Sequence, residues 1–201
     1  VYGPQPRQCA MSAPRLILAS TSRYRRELLE RLRLPFEAVS PGVDEAALSG
    51  EAPADLAIRL ALAKAQAVAT RATDAVVIGS DQVAELDGQT LGKPGSHARA
   101  VEQLTMMSGR RVVFHTAVAV VRRGQGFERA LLAPVRVQFR RLRRDEIERY
   151  LQLDTPYDCA GSAKSEALGV ALLESIDSDD PTALIGLPLI RTCALLREAG
   201  I

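Results

Sequence analysis

The sequence predicts an α/β fold in which helices flank a mixed β-sheet. The first observation is a short apolar run that leads directly into an amphipathic helical segment, within residues 15–33. The second is a pair of long strand-forming segments at 111–123 and 127–142, separated by the turn Gly-Gln-Gly at 124–126. Buried strands next to helices are typical of parallel pairing, whereas strands joined by a short turn run antiparallel. Both kinds of pairing in one chain indicate a mixed sheet.

The chain begins its pattern with a strand and a helix. Residues 15–19 (RLILA) are apolar throughout, as in a strand that is buried on both faces. Residues 22–33 place Leu28, Leu29 and Leu32 on one side of a helix. We therefore expect this helix to pack against the sheet through its leucines.

The next segments alternate in the same way. Residues 53–71 are rich in alanine and have a proline in the first turn, which is typical of a helix N-terminus. Residues 75–80 (AVVIGS) predict a second buried strand, and the Asp-Gly pair at 87–88 predicts a tight hairpin. Ser96 is a good N-cap for a helix that reaches about Met107.

The C-terminal third is less regular. After the two long strands the sequence predicts a short helix at 145–153 and a loop through 156–169. A strand at 170–175 and a final helix at 188–199 complete the pattern. No internal repeat and no low-complexity linker interrupts it.

Composition limits the classes of function. The chain has 201 residues, 47% of them hydrophobic and 25% charged, which is ordinary for a globular domain. Its net charge of +2 is too small to indicate a nucleic-acid partner. The three cysteines are widely spaced, which favours reduced thiols and a cytoplasmic location. A zinc site is disfavoured because there is no C-x-x-C and there are only two histidines.

Targeting segments are not evident. No apolar run approaches the roughly 20 residues of a membrane-spanning helix, so we expect no membrane association. Residues 1–10 precede Met11 and show no periodicity, and no signal peptide is recognisable. We interpret residues 1–10 as a disordered leader or as residues foreign to the protein, and residues 11–201 as a single domain.

The segment at 20–26 (STSRYRR) joins the first strand to the first helix. Hydroxyl groups and free backbone N–H groups at a helix N-terminus favour an anion, and three arginines add positive charge. One interpretation is a phosphate-binding site built without a glycine-rich loop. The other is a Ser or Thr cap on a surface helix whose arginines are solvated. This segment alone does not decide between them.

Four charged residues elsewhere bear on the same question. Asp81 directly follows the apolar run at 75–80, and a carboxylate at the exit of a buried strand is well placed to face a cleft. Lys64 lies on a helix face otherwise made of small residues, Glu45 lies in the segment PGVDE, and Lys93 lies in LGKP. Taken individually, each has a simpler interpretation: Asp81 as a cap, and Lys64 as a surface lysine. Together the four provide the cations and carboxylates that hold a metal-bound polyphosphate.

Nine short segments give a more specific signal. In order they are LILASTSRYRRELL, VDE, RLALAKAQA, IGSDQV, LGKP, MSG, FHTAVAV, PYDCAGSAKSEALG and IGLPL. Over about residues 15–199 they resemble the Maf family of nucleoside triphosphate pyrophosphatases. The resemblance implies the Maf-type fold, similar to that of inosine triphosphate pyrophosphatases, with a twisted mixed sheet, flanking helices and a cleft between two lobes. It also implies hydrolysis of a nucleoside triphosphate to NMP and pyrophosphate, a divalent metal cofactor (Mg, Mn or Co) and a homodimer.

The resemblance also assigns roles to individual residues. Asp81 matches the family's proposed catalytic acid, described as a proton acceptor. The phosphate- and metal-handling positions of the family are matched by Ser20, Arg25, Glu45, Lys64 and Lys93. We assign Ser20, Arg25, Lys64 and Lys93 to phosphate binding, and Glu45 with Asp81 to the metal. These residue types suit the chemistry, because cations stabilise a departing pyrophosphate and a carboxylate orients water or holds a metal.

Three positions bear on which nucleobase is bound. Tyr24, Gln82 and Glu166 fall where the resemblance places the specificity residues, and they resemble the 7-methyl-GTP pyrophosphatase branch. N7-methylguanine is a cation, so an aromatic ring attracts it and a carboxylate accepts hydrogen bonds from its edge. The simpler interpretation is that Tyr24 is a surface aromatic and Glu166 a loop carboxylate.

Two other functions remain open from the sequence. One is a nucleotide-binding regulator of septum formation without significant turnover, and the other is a Maf pyrophosphatase that prefers dTTP or UTP. The carboxylate Asp81, which a pure binding protein does not need, favours the enzyme. A P-loop ATPase is disfavoured because G-x-x-x-x-G-K-[ST] is absent from the sequence.

Overall fold

The computed structural model describes residues 14–201. The proposed leader at residues 1–10 therefore lies outside the described residues. Seven strands and five helices are found in this part of the chain. The strands are β1 (Leu16–Ala19), β2 (Glu37–Val39), β3 (Val76–Leu86), β4 (Gln89–Leu91), β5 (Arg111–Arg122), β6 (Phe127–Phe139) and β7 (Leu173–Asp177). The helices are α1 (Arg23–Glu30), α2 (Pro53–Ala69), α3 (His97–Met107), α4 (Arg144–Asp154) and α5 (Leu189–Glu198).

The strands form one mixed sheet in the order β2-β1-β3-β5-β6-β7, with β4 paired to β3. β1 is parallel to both β2 and β3, whereas β3, β5, β6 and β7 are antiparallel to one another along the sheet. The parallel pairs follow helical crossovers and the long antiparallel pair follows a short turn. The predicted α/β fold with a mixed sheet is confirmed.

β3 is longer than the predicted strand at 75–80. It continues through the polar Asp81 and Gln82 to Leu86, because β5 offers backbone partners along its length from Val77 to Glu85. Asp81 therefore does not lie at the exit of a strand, and that expectation was wrong. It faces an opening for another reason: β1 pairs with β3 only as far as Ile78, and β4 pairs with it only from Ala84 onward, so residues 79–83 have no strand neighbour on that side.

The other local predictions hold with small shifts. Asp87 and Gly88 have φ of +51° and +80°, the left-handed conformation that a type I′ hairpin requires. The last strand begins at residue 173 rather than 170, because residues 168–172 form a 3₁₀ turn. β2 was not predicted, since three residues are too few to show a strand period.

Three groups of buried side chains form the core and divide the molecule into two lobes. In the first lobe, α2 covers one face of β1, β3 and β5, and α1 and α5 cover the other. In the second lobe, α3 and α4 pack on the far parts of β3, β5 and β6. The long strands β5 and β6 pass through both lobes, so one sheet connects them. Within residues 14–201 no helix is long and apolar enough to cross a membrane.

The approach of α2 to β3 depends on small residues. A Cβ atom placed on Gly79 would lie 2.1 Å from the carbonyl oxygen of Ala61 and 2.7 Å from the backbone nitrogen of Ala65. Both contacts are with helix backbone, which cannot move aside as a flexible side chain can. Gly79 therefore allows α2 to pack directly on the strand, two residues before Asp81.

We expect Gly79→Ala to lower the free energy of unfolding by about 1–3 kcal/mol or more, because the added methyl group must push α2 away from β3. Chemical denaturation followed by circular dichroism measures the change. Gly92→Ala is the matched control, since a Cβ atom at Gly92 meets nothing within 4 Å. Equal stability of the two variants would contradict this account of the contact.

Candidate active site

A cavity of about 680 Å³ opens where β1 ends beside β3. Its wall combines the N-terminus of α1, part of the segment 41–47, α2, β3, β4 and residues near 158–160. All of the predicted site residues except Glu166 line it: Ser20, Tyr24, Arg25, Glu45, Lys64, Asp81, Gln82 and Lys93. The fold thus brings together side chains that are up to 73 positions apart in the sequence, from Ser20 to Lys93.

Lys64 occupies the floor of this cavity between two carboxylates. Its Nζ lies 2.6 Å from Oδ1 of Asp81 and 2.6 Å from Oε1 of Glu45. Only 4% of Lys64 is exposed, and Asp81 is also buried. A buried ammonium group is stable only when it is paired, so the two carboxylates and the lysine determine one another's positions.

Glu45 lies in an irregular segment, residues 40–52, that needs an anchor. Arg59 of α2 provides it: Nε lies 2.6 Å from Oε1 of Glu51, and Nη2 donates to the carbonyl oxygen of Ala46 at 2.9 Å. The hydrogen bond from Arg59, with a second from the backbone of Leu48, lowers the pKa of Glu51 to about 2. This ion pair fixes the segment next to Glu45 and hence the carboxylate's approach to Lys64.

The charge state of Glu45 follows from its neighbours. Burial by itself raises the pKa of its carboxyl group, but the hydrogen bond and charge of Lys64 outweigh this. With further help from Lys93 and Arg25, they hold the pKa of Glu45 below its ordinary value. Glu45 is therefore an anion at neutral pH.

The N-terminus of α1 forms another wall. Ser22 caps the helix by accepting a hydrogen bond from the backbone N–H of Arg25, and Ser20 Oγ accepts one from the N–H of Ser22 at 3.1 Å. Arg25 Nε donates to the carbonyl oxygen of Gly186 at 3.0 Å. Burial lowers the pKa of Arg25, against the opposing effect of Asp81 and Glu45, but a guanidinium group stays charged. Lys93 is exposed on the rim.

Tyr24 is held at the mouth of the cavity. Its hydroxyl group donates to Oδ2 of Asp158 at 3.4 Å and accepts from Nη2 of Arg23 at 2.9 Å. Burial raises the pKa of Tyr24 to about 12, so the phenol is neutral and able to donate. The thiol of Cys159 lies beside it, and burial raises the pKa of Cys159 to about 12, which leaves it without nucleophilic character at neutral pH.

The other two predicted specificity residues differ in placement. Gln82 lies on the face of β3 opposite to Asp81, and its amide group donates to Thr116 Oγ1 and to the carbonyl oxygens of Ala183 and Leu184 at 2.9–3.0 Å. Glu166 is exposed and is not among the described residues that line the cavity. Its role in binding the nucleobase stays a prediction.

Sequence reasoning missed three contributors to the site. Asp158 lay within a recognised segment, but only the fold brings it to Tyr24. The Arg59–Glu51 pair acts by anchoring a loop, and no spacing rule connects positions eight apart across a helix start. Arg23 was noted only as one of three charges. Such roles depend on non-local contacts that periodicity does not encode.

The donor set fits a divalent cation bound together with phosphates. Among residues 14–201 no group of three or more His, Cys, Asp or Glu side chains forms a closed metal site. Glu45 and Asp81 nevertheless lie close together, and each uses one oxygen atom for the Lys64 ammonium, which leaves the second oxygen of each carboxylate for a cation. One or two carboxylates completed by substrate phosphates and water is the usual way in which proteins bind Mg²⁺.

Comparison with solved structures supports the fold. A HAM1 protein from Coxiella burnetii superimposes with a TM-score of 0.52 at 17% sequence identity, over 92% of this chain and 100% of that protein. At this identity the likeness concerns the fold alone. It agrees with the expected similarity to inosine triphosphate pyrophosphatases.

Comparison with known sequences is more specific. A 7-methyl-GTP pyrophosphatase of Albidiferax ferrireducens is 64% identical over 194 residues, which cover 95% of this chain and 98% of that protein. A protein of the same name from a Polaromonas species is 66% identical over 186 residues, 92% of this chain and 85% of that protein. The family model described as Maf-like protein matches residues 15–199. The chain therefore belongs to the Maf family.

Proposed function

We propose that this protein hydrolyses nucleoside triphosphates between the α and β phosphates, releasing NMP and pyrophosphate, and that 7-methyl-GTP is its preferred substrate. The observation that carries the proposal is the Lys64 ammonium, 2.6 Å from both Asp81 and Glu45, at the floor of a cavity with further cations on its walls. A polyphosphate and a water molecule both find suitable partners there. The name shared by the relatives supports the choice of substrate.

The cations suit the departing group. Cleavage of the α–β bond concentrates negative charge on pyrophosphate, so stabilisation is most useful around the β and γ phosphates. Arg25 and Lys93 line the cavity from two sides, and the N-terminus of α1 adds N–H donors and the positive end of the helix dipole. We assign these groups, with Ser20, to phosphate binding.

Asp81 suits the activation of water. Its Oδ1 accepts the hydrogen bond of Lys64, and no described residue donates to its Oδ2. Lys64 therefore fixes the orientation of the carboxylate while one oxygen atom stays available to a water molecule. A carboxylate so placed can orient the water and accept its proton as it attacks the α-phosphorus.

We assign Glu45 and Asp81 to a divalent metal ion. When bound, Mg²⁺, Mn²⁺ or Co²⁺ would neutralise phosphate charge. The protein's own contribution is to hold the two carboxylates close together, through Lys64 on one side and the Arg59–Glu51 anchor on the other. The proposed homodimer and cytoplasmic location rest on the family resemblance and the composition.

The preference for a methylated base is assigned to Tyr24. N7-methylguanine carries a fixed positive charge, and a tyrosine ring attracts a cation placed over its face. Tyr24 lines the cavity, and its ring is fixed through its hydroxyl group by Asp158.

The first prediction concerns the products. Incubation with 7-methyl-GTP should yield 7-methyl-GMP and pyrophosphate, separated by ion-exchange chromatography, in reactions with Mg²⁺, Mn²⁺ or Co²⁺ and in a control with chelator. Release of NDP and orthophosphate would overturn the proposed cleavage site. Tight binding of nucleotides with no turnover under any of these conditions would favour the regulator instead.

The second prediction concerns Asp81→Asn. The amide keeps the shape but loses the charge and basicity, so kcat should fall by roughly 10²-fold or more, the scale of general-base catalysis. Nucleotide binding, measured by calorimetry, should persist. Asp87→Asn is the control, because Asn-Gly preserves the hairpin turn and Asp87 does not line the cavity. Near-normal turnover of folded Asp81→Asn would assign the role to another carboxylate.

The third prediction concerns the base. Tyr24→Ala should cost about 0.5–2 kcal/mol of apparent affinity for 7-methyl-GTP and less for GTP, because only the methylated base carries a fixed charge. Values of kcat/KM for 7-methyl-GTP, GTP and UTP measure the difference. Equal losses for all three nucleotides would mean that Tyr24 shapes the cavity in general.

The same assay tests Glu166. Its proposed contact with the base edge requires the segment 156–169 to bring the carboxylate into the cavity when nucleotide binds. Glu166→Gln should then weaken turnover of 7-methyl-GTP and leave that of UTP unchanged. If the ratio of kcat/KM for 7-methyl-GTP to that for UTP were the same in Glu166→Gln as in wild type, Glu166 would not belong to the site.

A further inference from the structure

The ring of Tyr24 already carries a cation. The guanidinium carbon of Arg23 lies 4.7 Å from the centroid of the ring, within the range of a cation–π contact. Nη2 of the same group donates to the Tyr24 hydroxyl at 2.9 Å. Both residues line the cavity. The aromatic surface assigned to the base is therefore in contact with a positive side chain of the protein itself.

This arrangement is not a consequence of helix geometry. Arg23 and Tyr24 are the first two residues of α1, and successive residues on a helix point in different directions. Among the described residues, Arg23 forms no ion pair with a carboxylate. Asp158, the nearby carboxylate, instead accepts the hydrogen bond of the Tyr24 hydroxyl. Arg23 thus lies against the ring although it is free to extend into solvent.

We propose that Arg23 is a specificity-determining residue that competes with a cationic base for Tyr24 and so limits the preference for 7-methylguanine over guanine. The inference rests on the proposed function, in which the base binds at Tyr24. It goes beyond that function by naming a residue, Arg23, that lowers the preference for 7-methylguanine and so determines how large this preference is.

The sign of the effect does not depend on which face of the ring the base uses. If the base takes the face that Arg23 covers, the guanidinium group must leave, and a favourable contact is lost. If the base takes the other face, Arg23 draws on the same ring electrons and repels a second positive charge across the ring. In both cases Arg23 weakens the binding of a cationic base more than that of a neutral base.

The attraction between Arg23 and the phosphates can be separated from its effect on the base. Arg23 lies at the N-terminus of α1, where it also attracts the phosphates, so its removal changes absolute affinities. Nucleotides that differ only in the N7-methyl group carry the same phosphates. The ratio of their affinities therefore isolates the interaction with the base.

The test is the ratio of dissociation constants for GMP and 7-methyl-GMP, measured by isothermal titration calorimetry, with kcat/KM for the two triphosphates as a second readout. Arg23→Gln removes the charge and should raise the preference for the methylated base by about two- to fivefold, the scale of a partly exposed cation–π contact. Tyr24→Phe keeps the ring but loses the hydroxyl that holds Arg23, and should raise the preference in the same direction.

Arg26→Gln is the matched control, because Arg26 lies on the same helix, is exposed and does not line the cavity. It should keep the wild-type ratio. An unchanged or lower preference in Arg23→Gln, with wild type and Arg26→Gln binding normally, overturns the inference. So does failure of wild type to bind either monophosphate. If the monophosphates bind but no triphosphate is hydrolysed, the proposed function fails and the ratio still decides the role of Arg23.

Discussion

The buried ammonium group of Lys64 places the strongest constraint on this structure. An unpaired charge at 4% exposure would cost several kcal/mol; the buried Asp81 compensates it, and Glu45 is a second, more exposed partner. The two carboxylates come from unrelated segments, one from the middle of β3 and one from the irregular segment 40–52. Gly79 lets α2 lie directly on β3, and Arg59 holds the segment next to Glu45. Each of these features helps to bring a carboxylate next to the Lys64 ammonium group.

The cavity exists because neighbouring strands differ in length. β1 has four residues and β3 has eleven, so the edge of β3 is left open just beyond Ile78. The helix that follows β1 starts at this opening and presents its N-terminus there. β5 and β6 continue into the second lobe and support the opposite wall. A cleft between lobes therefore requires no hinge or separate domain, only one sheet with a short strand near its edge.

Much of this architecture was readable from the sequence, and the exceptions have a common cause. The helices and the Asp-Gly hairpin follow from local periodicity and turn chemistry, so their predicted bounds are close to the observed ones. That β3 continues without a break through Asp81 and Gln82 was not predicted, because its polar centre is held by pairing with β5, more than thirty residues away along the chain. Lys64 looked like an ordinary surface lysine until Asp81 and Glu45 were placed beside it. The resemblance to a family brought the site residues together, but it left out Arg23, Asp158 and the Arg59–Glu51 anchor, which act through contacts between segments.

The charges of the cavity indicate how it is balanced for its proposed substrate. It is lined by four cationic side chains and three carboxylates, which together carry a net charge of +1. The cations are Arg23, Arg25, Lys64 and Lys93, and the carboxylates are Glu45, Asp81 and Asp158. A nucleoside triphosphate brings roughly four negative charges, which the transition state redistributes rather than removes. The protein alone therefore leaves a large part of the phosphate charge uncompensated. A divalent cation at Glu45 and Asp81 would reduce that deficit without adding a permanent positive charge near Tyr24. A cation at the floor of the cavity attracts the phosphates, whereas a cation at the mouth, such as Arg23, repels a positively charged base. The position of each charge therefore matters more than the net charge of the cavity.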